Sequence, residues 1–268
     1  MIPPAAGLRH GKGYIPDPKG HRYTPADRLL VPLPMQAAPI ASGGDLSQHA
    51  PGVLDQSSSG ACVGFAKMAA RYATMRAHGL PEALQSPAWA YKVGLAVDRR
   101  NPAIPLRDEG SMPNQVDRGL EEWGTLSASD YRFNLRTLTA DPTLYELEKA
   151  SRAQEIGWRA VRSRGALLID DLMRALAGGF APTFAIDVDQ AFEDYSGVGE
   201  LGAMRGSNLG GHMLFFIAGE RLASGKIVLT LQNSWGTSWG DRGFARVDAA
   251  KFIPRLSYVS LPSPLRAR

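Results

Sequence analysis

The chain has 268 residues and a single cysteine, Cys62. One cysteine excludes an internal disulfide framework and permits a reducing compartment. The five histidines show no metal-ligand spacing, so neither a metal nor another cofactor is expected. No apolar run approaches the length that spans a bilayer; "MLFFIAG" is far too short. The N-terminal "MIPPAAGLRHGKGYIPDP" lacks an apolar signal core. That predicts a cytoplasmic location, or release without a signal peptide. The formal charge is +4, with basic residues scattered among acids apart from an "LRAR" tail. Such a balance gives no nucleic-acid footprint and no membrane surface.

What remains is an ordinary globular composition, 44% hydrophobic. Residues 1–50 are rich in Pro, Gly and Ala without a sustained period, and read as an extended arm. Residues 51–268 read as the folded domain. Phe65, Met68, Ala69, Tyr72 and Met75 recur at helical spacing from Cys62 to His78, with Gly79 as the stop. Further helical patterns cover Ala88 to Val97, Ser111 to Trp123 and Ile169 to Ala177. "PTFAIDVD", "HMLFFIAGE", "KIVLTLQNS" and "GFARVD" read as strands. A helical half over about 51–165 and a β half over about 166–255 predict an α+β fold of two lobes. A cleft between them is the natural place for a site.

Cys62 opens a helical pattern, after Ser57, Ser58, Ser59 and Gly60, which suit a turn. A helix N-terminus and a nearby imidazolium both lower a thiol's pKa. His10, His21 and His49 lie in the arm, and His78 closes the Cys62 helix. His212 differs, because it follows two glycines at the mouth of an apolar strand. An imidazole there needs a partner. Asn233, at the end of the next apolar run, is the candidate, with Trp235 covering the bond from water.

These residues carry a resemblance. "NSWGTSWG" from Asn233, followed by Gly243 and Phe244, resembles the asparagine motif of papain-family cysteine peptidases. Gln56, six residues before Cys62, is similar to that family's oxyanion-hole glutamine in type and spacing. Gly60 and "Gly211-His212" match as well, and the order Cys, His, Asn is right. "DEGSMPNQVDRGLEEWG" resembles the glycine-containing wall of the cleft. "DVDQAFEDYSGV" resembles the segment leading toward the histidine. The resemblance covers roughly residues 50–250. Ser59 stands where the family usually has a cysteine, Val63 replaces an aromatic residue, and Glu109-Gly110-Ser111 replaces a cysteine-bearing wall. These departures remove disulfides, leave the chemistry intact, and fit a bacterial or phage-type branch. "GYIPDP" (Gly13 to Pro18) resembles a segment that precedes the catalytic domain in some bacterial relatives and lies across the cleft.

The resemblance implies a papain-like two-lobe fold, with a helical lobe, a β-barrel-like lobe and the cleft between them. It also implies an endopeptidase acting on protein or peptide. Cys62 attacks the carbonyl, and His212 pairs with the thiolate and protonates the leaving amine. Asn233 orients the imidazole, and Gln56 with the Cys62 N–H holds the oxyanion. Gly110 and Ser111 offer backbone groups to an extended substrate. Gly211 and Trp239 complete the substrate-binding set, Trp239 on the leaving-group side, and Trp235 shields the His–Asn bond. The arm is expected to latch over the cleft. Two alternatives stay open: a cysteine amidase or acyl transferase on cell-wall peptides, and a papain-fold structural component of a virion or secretion machine. Asp187 and Asp189 read as a solvated edge. "GVGELG" (Gly197 to Gly202) reads as a loop, because the strand and helix that a phosphate motif needs are missing.

Overall fold

A computed structural model describes residues 10–16, 43–80, 83–99, 101, 103–153, 157–202 and 206–262. The readings for the rest of the arm, for His21 and for the "LRAR" tail lie outside them.

The first half is helical, as its periods predict. Helix α1 spans Cys62–Ala77, α2 Pro87–Val97, α3 Pro113–Trp123 and α4 Leu144–Ala150. Helix α1 is buried on nearly every side, which makes it the central helix of the molecule. It packs on α2 and, across the interior, on strand β4 (Gly210–Arg221). Its buried Lys67 is answered by Asp117 Oδ1 of α3 at 2.6 Å, and its ammonium lies 4.0 Å from the centroid of the Trp158 ring. Gly79, at φ +70°, ends this helix. Helix α2 starts with Pro87 behind Ser86, whose hydroxyl accepts the Trp89 N–H at 3.0 Å. Helix α3 begins two residues later than its apolar pattern, at Pro113, because Gly110 and Ser111 run extended along the cleft. Gly124 (φ +81°) closes it.

The second half adds α5 (Gly165–Ala177), which starts four residues ahead of its predicted period, and a set of strands. These are β1 (Gly44–Asp45), β2 (Trp158–Ala160), β3 (Thr183–Val188), β4, β5 (Ile227–Gln232), β6 (Phe244–Asp248) and β7 (Tyr258–Pro262). The short helices α6 (Gln190–Glu193) and α7 (Ala249–Phe252) connect them. All pairings between these strands are antiparallel, in the order β2-β7-β3-β4-β5-β6, with β1 added on β4. The pairings do not join β2 to β6, so this barrel-like half is an open sheet. The four predicted strands are β3, β4, β5 and β6. The sheet also draws in β1 from the arm, β2 from the helical half and β7 from beyond residue 255. Their short runs carry too little alternation to be read. Phe184 and Phe216 stack at 4.1 Å in the core behind the sheet. Gly197 to Gly202 is loop apart from one bridge at Glu200. Asp187 is exposed as expected, but Asp189 is buried, because its side chain caps α6 by accepting the Phe192 N–H at 3.0 Å.

Candidate active site

The loop before α1 is held by its own polar groups and by the opposite wall. Ser59 donates its hydroxyl to the Gln56 carbonyl at 2.7 Å, and Gln56 Nε2 donates to the Ser59 carbonyl at 2.8 Å. Ser234 Oγ donates to Gln56 Oε1 at 2.6 Å. That fixes the amide, with Nε2 aimed into the cleft. Across the cleft, Asp108 Oδ1 accepts the Gly60 N–H at 2.8 Å and the Tyr91 hydroxyl at 2.7 Å. The Tyr91 oxygen accepts the Gly110 N–H at 3.0 Å. Asp108 and Tyr91 therefore tie the nucleophile's loop to the Gly110–Ser111 wall in a chain with no disulfide. Sequence reading singled out neither residue, since nothing local marks a Tyr and an Asp on separate elements as partners. Cys62 is the first residue of α1, so its N–H has no acceptor within the helix.

His212 enters from β4, where it pairs with Ile186 of β3. Its ring meets Asn233 Oδ1 through Nε2 at 2.8 Å. The same oxygen accepts the Ser234 backbone N–H at 2.8 Å, which sets the amide orientation. An acceptor there requires the proton on Nε2, so the neutral ring keeps a lone pair on Nδ1. Nδ1 is buried without a hydrogen-bond partner among the described residues. Trp235 stacks on the imidazole at 4.5 Å and excludes water from the His–Asn bond.

The described part of the arm lies in this cleft. Gln56 Nε2 donates to the Gly11 carbonyl at 3.1 Å. Ser111 brackets Tyr14: its N–H donates to the Gly13 carbonyl at 2.6 Å, and its carbonyl accepts the Ile15 N–H at 3.1 Å. Tyr14 also donates its N–H to the Gly211 carbonyl at 3.1 Å. A Cβ on Gly110, which sits at φ +91°, would run into the Gly13 carbonyl, and one on Gly211 would run into the Tyr14 carbonyl. Glycine at these two positions lets the arm approach backbone to backbone. The Tyr14 ring is buried, with Ser257 Oγ 3.4 Å from its hydroxyl. His10 stacks at 4.5 Å on Trp235. Lys12 Nζ forms a 2.7 Å ion pair with Glu193 Oε1.

With the arm seated, Cys62 and His212 are fully buried. Burial pushes the Cys62 thiol up to about 11, although backbone N–H groups of Met213, Gly13, Val63 and Tyr14 point at the sulfur and pull it down. The same burial draws His212 down to about 3, against the Asn233 hydrogen bond. Both groups are therefore neutral at pH 7. The expected lowering of the thiol pKa by the helix terminus is outweighed by desolvation. Two of the N–H groups at the sulfur, those of Gly13 and Tyr14, belong to the arm.

Cys62, Gln56, His212, Asn233, Trp235, Gly110, Ser111 and Gly211 thus surround one stretch of backbone. Trp239 does not join them. It is buried against Phe192 and Trp235, donating its indole N–H to the Phe192 carbonyl at 2.9 Å. Glu193 was not singled out in the sequence, and only the arm's position reveals it. Among the described residues no cluster suits a metal ion, and no helix is long and apolar enough to cross a membrane.

Solved structures share this architecture. Xylellain, a cysteine protease from Xylella fastidiosa, matches with a TM-score of 0.71 at 20% identity, over 97% of this chain and 98% of that one. Digestive procathepsin L 3 of Tenebrio molitor larval midgut matches at 0.69 and 18%, over 95% and 76%. The ragweed pollen cysteine protease Amb a 11, in its proform, matches at 0.66 and 16%, over 85% and 67%. A search of curated proteins found no match. The profile of the papain family cysteine proteases matches residues 109–253, more than half of the chain. The chain belongs to the papain family of cysteine proteases.

Proposed function

We propose that this papain-family hydrolase is an endopeptidase that cuts protein through Cys62, His212, Asn233 and Gln56, and that its N-terminal arm holds it latent. With the arm displaced, His212 Nδ1 takes the Cys62 proton and the sulfur attacks a peptide carbonyl carbon. The electron pair moves to the carbonyl oxygen, which receives hydrogen bonds from Gln56 Nε2 and the Cys62 N–H. The imidazolium then protonates the departing amine, leaving a thioester on Cys62. Water, deprotonated by His212, attacks that thioester and restores the thiol. Asn233 keeps the ring in the tautomer both steps need. Gly110, Ser111 and Gly211 take the substrate backbone, the places the arm now fills. Trp235 keeps water from the His–Asn bond, and Trp239 backs it.

The observation that carries the reading is the Gln56 side chain, braced by Ser234, donating to an arm carbonyl beside the molecule's one thiol. Latency is supported by the arm's saturation of both Ser111 backbone groups. The cell-wall alternative has no observation of its own in favour, and the structural-component alternative has none either. The test is intact-mass labelling by an epoxide directed at papain-like thiolates, on the wild type, on Tyr14→Ala with its weakened arm and on Cys62→Ala, with cleavage of an unfolded protein measured on the same three. One adduct at Cys62 that forms faster in Tyr14→Ala than in the wild type, none on Cys62→Ala, and cleavage of the unfolded protein in the same order support the proposal. Cleavage that survives Cys62→Ala overturns it.

A further inference from the structure

The Lys12–Glu193 pair lies on the His212 side of the thiol. Lys12 Nζ sits 5.5 Å from the centroid of the Trp235 ring, and that ring stacks on His212. Tyr14, on the other side, is held by the Ser111 wall. In the proposed mechanism His212 gives its proton to the leaving amine, so the leaving half of a substrate passes over Trp235 and the acyl half lies along Ser111. Glu193 therefore belongs to the leaving half.

Glu193 is built in. It ends α6, whose first turn is capped by Asp189, and its N–H donates to the Asp189 carbonyl at 3.1 Å. Its neighbour Phe192 packs against Trp235 at 5.5 Å and Trp239 at 5.0 Å. The Glu193 side chain is 0% exposed and that of Lys12 is 4% exposed. Oε1 holds the Lys12 ammonium, while Oε2 is buried with no hydrogen-bond partner among the described residues. The Lys12 stem lies along the start of β4, where a Cβ on Gly210 would come within 3.3 Å of it. A carboxylate in such a place needs a cation, and an anion there is repelled.

We propose that Glu193 selects substrates with a lysine or arginine as the first residue after the cut bond, the arm's Lys12 being the internal occupant of that subsite. This rests on the peptidase reading. The substrate class is then protein segments with a basic residue on the leaving side, and an acidic residue there is rejected by like charge.

The experiment uses the full chain and two peptides identical except for Lys or Glu at that position, with the cut bond confirmed by product mass. Both peptides compete with the same arm and meet the same folded fraction, so the ratio of their kcat/KM values within one variant is independent of both. The wild type is expected to favour the Lys peptide by at least about tenfold, the size of one charge-assisted hydrogen bond in a partly wet site. Glu193→Gln brings the ratio near one, Glu193→Asp keeps the preference, and Glu193→Lys inverts it. A wild-type ratio near one, or a ratio unchanged in Glu193→Gln, overturns the subsite and leaves the peptidase reading standing. Failure to cut either peptide, with the epoxide also failing to label Cys62 in Tyr14→Ala, where the arm is loosened, overturns both.

Discussion

Ser111 and Tyr14 pair in parallel, with the Ser111 N–H on the Gly13 carbonyl and the Ile15 N–H on the Ser111 carbonyl. One residue of the wall thus spends both backbone groups on the arm. In the proposed mechanism a substrate strand takes those groups, so arm and substrate exclude one another.

Tyr14 is the arm's largest buried side chain among residues 10–16, and its loss weakens docking. Tyr14→Ala is expected to remove about 2 kcal/mol of apolar contact, enough to raise the open fraction about thirtyfold. The rate of epoxide labelling at Cys62 reads this directly. A rate equal to the wild type's contradicts a latch.

Acid favours the open form. With the arm seated His212 titrates near 3; its ordinary value is 6.5. The groups that act on it are Asn233 after β5 and Lys12 and His10 of the arm. The open state binds the proton more tightly, so protonation pulls toward opening. The effect is absent above pH 6.5, grows by about tenfold per pH unit below it, and levels off near pH 3. Hydrogen exchange of residues 10–16, corrected for its intrinsic pH dependence, is expected to rise through that window. Protection that stays flat between pH 7 and pH 4 refutes the linkage.

Gln56 bears on the chemical step. Gln56→Ala is expected to lower kcat by about 10²–10³, the cost of one oxyanion donor. Gln56→Glu keeps the oxygen that accepts from Ser234 but has no N–H to offer, so its loss should be as large. Steady-state kinetics on one peptide decide; a Gln56→Glu enzyme with wild-type kcat removes Gln56 from the mechanism.

Lys67 and Asp117 test the scaffold under the site. Asp117→Ala leaves a buried ammonium without its counter-charge and is expected to cost about 3–5 kcal/mol, whereas Lys67→Met with Asp117→Leu recovers most of it. Chemical denaturation midpoints measure both. A single variant as stable as the double shows that the pair contributes nothing there.

The long elements were legible because each carries a period. Cys62 to His78 repeats apolar residues at helical spacing, and "KIVLTLQNS" is an apolar run bounded by turn residues. β2 is three residues long and β1 two, too short for any period. The site motifs were legible because Gln56 lies in the loop that leads into the helix Cys62 begins, and because His212 and Asn233 sit at adjacent strand ends. A Trp–Gly repeat looks the same whether its ring faces a cleft or a core, so the burial of Trp239 against Phe192 was not legible.

The sequence by itself determined which side chains are available for chemistry: one thiol, one imidazole at a strand mouth, and the amides Asn233 and Gln56. Local patterns settle that, since helix and strand periods are set by backbone geometry. Only the tertiary structure decided protonation, occupancy and charge at the cleft. Cys62 and His212 are fully buried, which pushes the thiol up and the imidazole down, and no local pattern encodes that burial. Asp108 meets Gly60, and Lys12 meets Glu193 across 181 positions of chain. Such pairs form where folding happens to bring their elements together, and burial then fixes their strength.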